Sequence, residues 1–258
     1  MSKVYCLAFL FFAVPSFAQK GLHESVSFTK PPVIDGNIDD WQAEWWLDPD
    51  GKFLSNVGND NENIYLRLKI SDDVTQQKIG LFGLSLRLNP SGKRKGKVGL
   101  KYPVSKDKSE LKKEKTEAVG LETDLAARVR MKKELVSDVE VLELIGLAKQ
   151  NIVSSRLGLT NGIEAALIAQ DDGAYIYEAK IPFKAFRIKK SEVIVLGVEF
   201  ETGRFVPDSK SQGSPQIDPA YKAAYRSGNV PRPVVYGNNY QYNALASPGY
   251  LFLQIKLK

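Results

Sequence analysis

One cysteine, one histidine and two methionines in 258 residues leave little for metal or nucleophilic chemistry. A disulfide framework and zinc or iron–sulfur sites built on Cys and His are excluded within one chain. A Cys–His or Ser–His–Asp apparatus would have to rest on His23 alone. The apolar run from Val4 to Val14 stops well short of the roughly 20 residues that a membrane span needs. What is present is ordinary globular composition, 43% hydrophobic and 26% charged. The length suits one large domain, and it suffices to bury a core without bridges or metal.

The first eighteen residues read as a secretory leader rather than as part of the fold. A basic start at Lys3 precedes the apolar run, and the small residues Ser16 and Ala18 follow it. Cleavage is expected between Ala18 and Gln19. Cys6 lies at the start of the apolar run, away from that cleavage site, so it does not read as a lipid anchor, and the mature chain has no cysteine. Loss of Lys3 lowers the net charge from +6 to +5. The expected location is extracytoplasmic: secreted, periplasmic or at the cell surface, with no transmembrane span after cleavage.

The positive charge is concentrated. Residues 93–115 hold ten Lys and Arg against three acidic residues, so the segment carries +7 and the rest of the mature chain −2. The sequence predicts a solvated, mobile insertion here, dispensable for folding, because like charges repel and little apolar surface is available to fix it. An electrostatic patch for acidic glycans or anionic surface polymer is the functional alternative. Only Tyr102 interleaves the charges, which argues against nucleic acid as a partner.

Most of the remaining chain alternates with period two. Asn63–Ile70 places Ile64, Leu66, Leu68 and Ile70 on one face, and Leu84, Leu86 and Leu88 repeat the pattern. Val139–Ile145, Ile163–Ala169, Ala174–Ile181, Val193–Phe200 and Tyr250–Leu257 follow, with Asp171-Asp172-Gly173 as a hairpin turn. Many half-buried strands separated by turn signals predict a mainly β fold, an antiparallel β-sandwich forming a single domain over 19–258. One short helix is expected over Asp124–Leu135, with Thr123 or Asp124 as its cap.

A second irregular stretch, 203–249, is rich in Gly, Pro, Asn and Ser and carries Tyr221, Tyr225, Tyr236, Tyr240 and Tyr242. Tyrosine offers a flat apolar face and a hydroxyl, which suits sugar stacking, although packing of the loop onto the sandwich would use the same residues. With Arg204 nearby, these are the candidate ligand-binding residues. The basis is elimination: the strand faces are needed for the core.

Three stretches taken in order resemble the family 9 carbohydrate-binding modules and their DOMON-like relatives. Pro32-Val33-Ile34-Asp35-Gly36-Asn37-Ile38-Asp39-Asp40-Trp41 is similar to the family's opening pattern of P-x-I-D-G-x-x-D-x-W. Asn59 to Asp72 is similar to its D-x-x-N-L-Y strand, and Tyr175 to Phe183 to its E-x-x-I-P strand, with Gly197-Val198-Glu199-Phe200-Glu201 after it. The region 90–160 has no counterpart. The matched residues carry scaffold roles: Gly36 for a positive-φ turn, Asp39 to bind back to that turn, Trp41 to close one end of the core, and Pro182 to end a strand. The family's ligand tryptophans have no clear match. Trp45 and Trp46 would point to opposite faces of a strand, leaving at most one for a ligand.

The resemblance implies a secreted, non-catalytic protein that binds a polysaccharide or glycan at the cell envelope. Two alternatives have the same fold: an envelope module that binds other proteins and has no sugar affinity, and an accessory component of glycoside hydrolysis and carbohydrate catabolism. Some relatives bind calcium, and Asp39, Asp60 and Asp72 are the candidates here, without an EF-hand spacing and with turn chemistry as the stronger reading. Haem-binding relatives use Met and His; Met131 and His23 are poorly placed for that role. No cofactor is otherwise expected.

Overall fold

The computed structural model describes residues 21–41, 43–105, 125–137, 139–147, 152–155, 161–206 and 244–258. The expected leader, with Ala18 and Gln19, lies outside the described residues, as do Tyr221, Tyr225, Tyr236, Tyr240 and Tyr242.

Two sheets face each other across one core. The strands are β1 (Leu22–Glu24), β2 (Val26–Ser27), β3 (Trp46–Leu47), β4 (Leu54–Asn59), β5 (Asn63–Ile70), β6 (Leu84–Asn89), β7 (Val98–Lys101), β8 (Val141–Ile145), β9 (Ile152–Ser155), β10 (Glu164–Ala169), β11 (Tyr175–Pro182), β12 (Leu196–Thr202) and β13 (Tyr250–Lys256). The larger sheet runs β1-β13-β12-β6-β7-β8-β9. The smaller runs β10-β11-β5-β4-β2, with β3 also paired to β4. The pairings are antiparallel except at the two short N-terminal strands, β1 on β13 and β2 on β4, which run parallel.

The alternation read from the sequence becomes the core. Ile64, Leu66, Leu68 and Ile70 of β5 face inward with Tyr175, Tyr177, Ala179 and Ile181 of β11, and all are fully buried. Leu84, Leu86 and Leu88 of β6, Leu196, Val198 and Phe200 of β12, and Leu251, Leu253 and Ile255 of β13 form the opposing face. The hairpin at 171–173 is present, with Gly173 at φ 78° and Asp172 accepting the Ala174 amide at 2.9 Å.

Among the described residues, two α-helices lie against the sandwich. The expected one is α2 (Leu125–Ser137), which packs against β10. The other, α1 (Asp73–Phe82), carries few apolar residues and shows no helical stripe in the sequence. Its caps decide it: Asp72 accepts the Thr75 amide at 2.8 Å, and Gly83 follows at φ 82°. Gln76 anchors it, donating to Ile70 O at 2.7 Å and to Gly173 O at 2.8 Å.

The stretch 93–115 is not a simple insertion. Its residues Val98–Lys101 form β7, a strand of the larger sheet between β6 and β8, and Leu100 is fully buried. Tyr102, the one aromatic residue in the basic stretch, is also buried, and its hydroxyl donates to Val139 O at 3.0 Å. Two buried side chains outweigh the repulsion among solvated lysines, which a charge count does not reveal.

Candidate functional site

Inward residues of β6, β12 and β13 fill the core, so the residues between them face outward. Register places Phe252, Glu199 and Arg87 in one cross-strand row and Tyr250, Glu201 and Ser85 in the next. Over this face folds the connection from Pro90 to Lys97. It can lie close because position 197 is glycine: a Cβ there would stand 2.5 Å from Lys93 O. The Gln254 side-chain amide donates to Gly92 O at 2.9 Å, and the Lys95 amide donates to Glu199 Oε2 at 2.7 Å. The Arg94 guanidinium lies 5.3 Å from the Tyr250 ring centre and 5.1 Å from that of Phe252. Lys95 adopts φ 62°, a left-handed conformation uncommon for a residue with a Cβ.

Sheet and connection together enclose a recess of about 570 Å³, lined by Arg87, Arg94, Lys95, Glu199, Glu201 and Tyr250. That volume is within the range of small-ligand sites. Glu199 is 6% exposed, and its carboxylate is occupied by the Lys95 amide and the Tyr250 hydroxyl. Burial and the bond to Glu199 push the Tyr250 phenol up to about 12, so it stays a neutral hydroxyl at physiological pH. The side chains of Arg87 and Glu201 are half-buried and make no side-chain hydrogen bond or ion pair among the described residues. The recess therefore offers an open guanidinium, an open carboxylate and an aromatic side chain. Such a set bonds hydroxyl groups and packs against C–H surfaces.

The sequence does not mark these residues as ligands. The available signal was the outward half of the alternation, where 87, 199 and 201 are charged and 250 and 252 aromatic. Of the candidate ligand residues, Arg204 is exposed just beyond β12. The tyrosines lie outside the described residues, but both ends of their segment are fixed beside the recess. Thr202 N donates to Gly249 O at 2.9 Å, and Phe205 N to Leu245 O at 2.9 Å, next to Glu201 and Tyr250.

The calcium candidates are committed elsewhere or apart. Asp60 accepts the Glu62 and Asn63 amides at 2.7 and 2.6 Å and the Tyr65 hydroxyl at 2.7 Å. Asp72 caps α1. Asp39 contributes its amide, not its carboxylate, to the opening turn, whose bonds come from Asp35, Asn37 and Asp40. No group of three or more His, Cys, Asp or Glu side chains able to hold a metal occurs among the described residues.

The tryptophans also prove structural. The Arg67 guanidinium is held between the Trp41 and Trp45 rings, 4.7 and 4.1 Å from their centres. Trp46 stacks on His23 with ring centres 4.2 Å apart. Arg67 donates to Ile38, Trp41 and Ala43 carbonyls, which ties the opening segment across β5. Burial lowers the Arg67 guanidinium to about 10, with Glu178 and Asp40 opposing the fall, so it stays charged.

No family model matches the chain, and no curated protein matches it. Among solved structures there are matches. The chain is similar to family 9 carbohydrate-binding modules. One is from Caldicellulosiruptor kristjanssonii in complex with glucose, at 15% identity over 92% of this chain and 95% of that chain, with a TM-score of 0.35. Another, from the same organism, is in complex with cellotriose, at 15% identity over 92% and 93%, with a TM-score of 0.34.

Proposed function

We propose that this protein is a non-catalytic carbohydrate-binding protein of the cell envelope that seats a sugar in the recess on the outer face of its larger sheet. The observation that carries the reading is the pairing of uncommitted Arg87 and Glu201 beside the Tyr250 ring. Opposite charges that are not spent on each other can each bond a different hydroxyl, and the Tyr250 ring adds apolar surface for the sugar's C–H groups. The three family-like motifs, which the fold brings into contact with one another on the smaller sheet, support a carbohydrate-binding scaffold and lie apart from the recess itself.

A non-catalytic role fits the carboxylates. Glycoside hydrolysis by a carboxylate pair needs two groups free to exchange protons or attack. Glu199 is occupied, which leaves Glu201. The leader-like residues 1–18 support export, with the protein at the cell surface or in the periplasm. Tyr221, Tyr225, Tyr236, Tyr240 and Tyr242 are proposed as additional contacts, because their segment departs and returns beside Glu201 and Tyr250. A role beside glycoside hydrolases in carbohydrate catabolism follows if the glycan proves to be a nutrient polymer.

The test is affinity electrophoresis of the full chain through gels containing neutral glucans, followed by calorimetry with the best oligosaccharide. Wild type is expected to bind with a Kd of about 10–1000 µM, the range of an open site. Arg87→Ala and Glu201→Gln should each weaken binding about tenfold or more, a loss of about 1.4 kcal/mol or more, as for a hydrogen bond to a charged group. Absence of binding to any glycan would favour the protein-interaction module instead.

A further inference from the structure

A second recess lies at the end of the sandwich where β5 begins and β11 ends. It measures about 890 Å³ and is bounded by the 61–63 turn on one side and the 183–190 turns on the other. Five cations line it: Lys180, Lys184, Arg187, Lys189 and Lys190, against the single carboxylate of Glu62. Two of the five are neutralised from outside the recess. Lys180 pairs with Glu164 at 2.7 Å and Lys189 with Glu192 at 2.9 Å. Lys190 donates to Asp60 O at 3.1 Å, which fixes its position but leaves its charge unpaired. Lys184 and Arg187 are exposed and form no ion pair among the described residues.

The backbone adds an independent sign. Arg187 sits at φ 57°, closing the one-turn helix Phe183–Phe186, with its amide on Lys184 O at 3.1 Å and the Ile188 amide on Phe183 O at 2.9 Å. This is a helix C-cap of the kind that glycine fills without strain. An arginine keeps the conformation at a cost, and what it adds is a cation held over the recess. Strain of this kind in an exposed turn points to a functional side chain.

We infer that this recess is a binding site for an acidic polysaccharide, one bearing carboxylate or sulfate groups along a sugar chain. Lys184, Arg187 and Lys190 meet the anionic groups, and Asn61 stands beside them for hydroxyls, while the Asn63 side-chain amide is held by Asp60. The floor, Pro182, Phe183 and Ile188, presents no exposed aromatic ring on which a base could stack, so a nucleic acid is disfavoured. It also presents no large exposed apolar residue of the kind that inserts into lipid. The inference is independent of the recess at Arg87.

The experiment measures binding to the full chain by calorimetry at 50 and 300 mM salt. Its probes are a heparin-derived hexasaccharide, an oligogalacturonate of equal length, cellohexaose, inorganic phosphate and an oligodeoxythymidine of matched charge. At least one acidic oligosaccharide is expected to bind, several-fold more weakly at the higher salt as screening shortens its reach. Because the heparin fragment carries carboxylates as well as sulfates, its binding without that of the oligogalacturonate assigns recognition to sulfate, and binding of both at similar strength assigns it to carboxylate. Lys184→Gln with Arg187→Gln should lower affinity at least tenfold. The equally charged change Arg130→Gln with Lys133→Gln, on α2 at the far end of β11, should alter it less than twofold. Arg187→Gly should fold with an equal or higher thermal midpoint and still lose affinity, which a purely structural arginine would not do. Failure of both acidic oligosaccharides to bind would overturn the inference. So would equal losses in the two double variants, or binding of phosphate, cellohexaose or oligodeoxythymidine as tight as that of the acidic sugars.

Discussion

Glu178 holds Gly36 across 142 positions of sequence: its Oε2 accepts the Gly36 amide at 2.8 Å and the Asp35 amide at 3.2 Å. The same side chain stands opposite Arg67 in the β5–β11 ladder and is fully buried. Three family-like stretches thus meet at one place, the opening turn on the outer face of the smaller sheet.

That burial makes stability depend on pH. Burial pushes the Glu178 carboxyl up from its ordinary 4.5 to about 7, the Gly36 and Asp35 amides pulling against it and the charges of Asp40 and Asp35 adding to the rise. A carboxyl raised in the fold binds its proton more tightly there than in the unfolded chain. Its contribution is complete below about pH 4.5 and is lost as pH climbs through about 7, on the order of 2 kcal/mol. Urea midpoints compared at pH 5.5 and 8 should show this loss, and Glu178→Gln should flatten it. An unchanged slope in the variant would mean that another group carries the dependence.

Trp41 is 4% exposed, lies against the Arg67 guanidinium and meets Phe28 edge to face at 5.1 Å. Trp41→Ala is expected to cost about 3–5 kcal/mol in denaturant unfolding, the usual price of removing a buried large aromatic. A loss within about 1 kcal/mol would show that the opening segment does not depend on this ring.

Leu100 tests whether β7 belongs to the sheet. Leu100→Ala should destabilise by about 2–5 kcal/mol. Deleting the whole of 93–115 should then prevent folding, since it removes a central strand. A folded deletion variant with a near-normal thermal midpoint would return the stretch to the status of a loop.

Gly197 admits the Pro90–Lys97 connection to the sheet face, with Lys93 O where a side chain would stand. Gly197→Val should lift that connection, detach the Lys95 amide from Glu199 and weaken sugar binding about tenfold, or about 1.4 kcal/mol. Circular dichroism should remain that of a β fold, because the neighbouring inward residues are untouched. Full retention of affinity would show that the connection is not a wall of the site.

Much of the fold was legible because period-two alternation records burial directly, as Ile64 to Ile70 and Leu84 to Leu88 show. Strands of two to four residues, such as β2, β3 and β7, are too short for any period to register. Helix α1 escaped because it is held by Asp72, Gln76 and Gly83 rather than by an apolar stripe. The recess at Arg87 was hidden for another reason. It depends on Gly197 letting a distant connection fold back, and close approach between backbones leaves no pattern in a sequence. Tyrosine-rich composition drew attention to 203–249, and the structure adds that this segment is anchored beside Glu201 and Tyr250.

The most direct measurement is an amide chemical-shift titration of the isotope-labelled protein with the neutral oligosaccharide that binds best. The largest shifts are expected at Arg87, Arg94, Lys95, Gly96, Glu199, Glu201 and Tyr250, saturating together with one dissociation constant. Saturable shifts confined to the smaller sheet or to the opening segment, with the Arg87 row silent, would contradict this placement of the sugar.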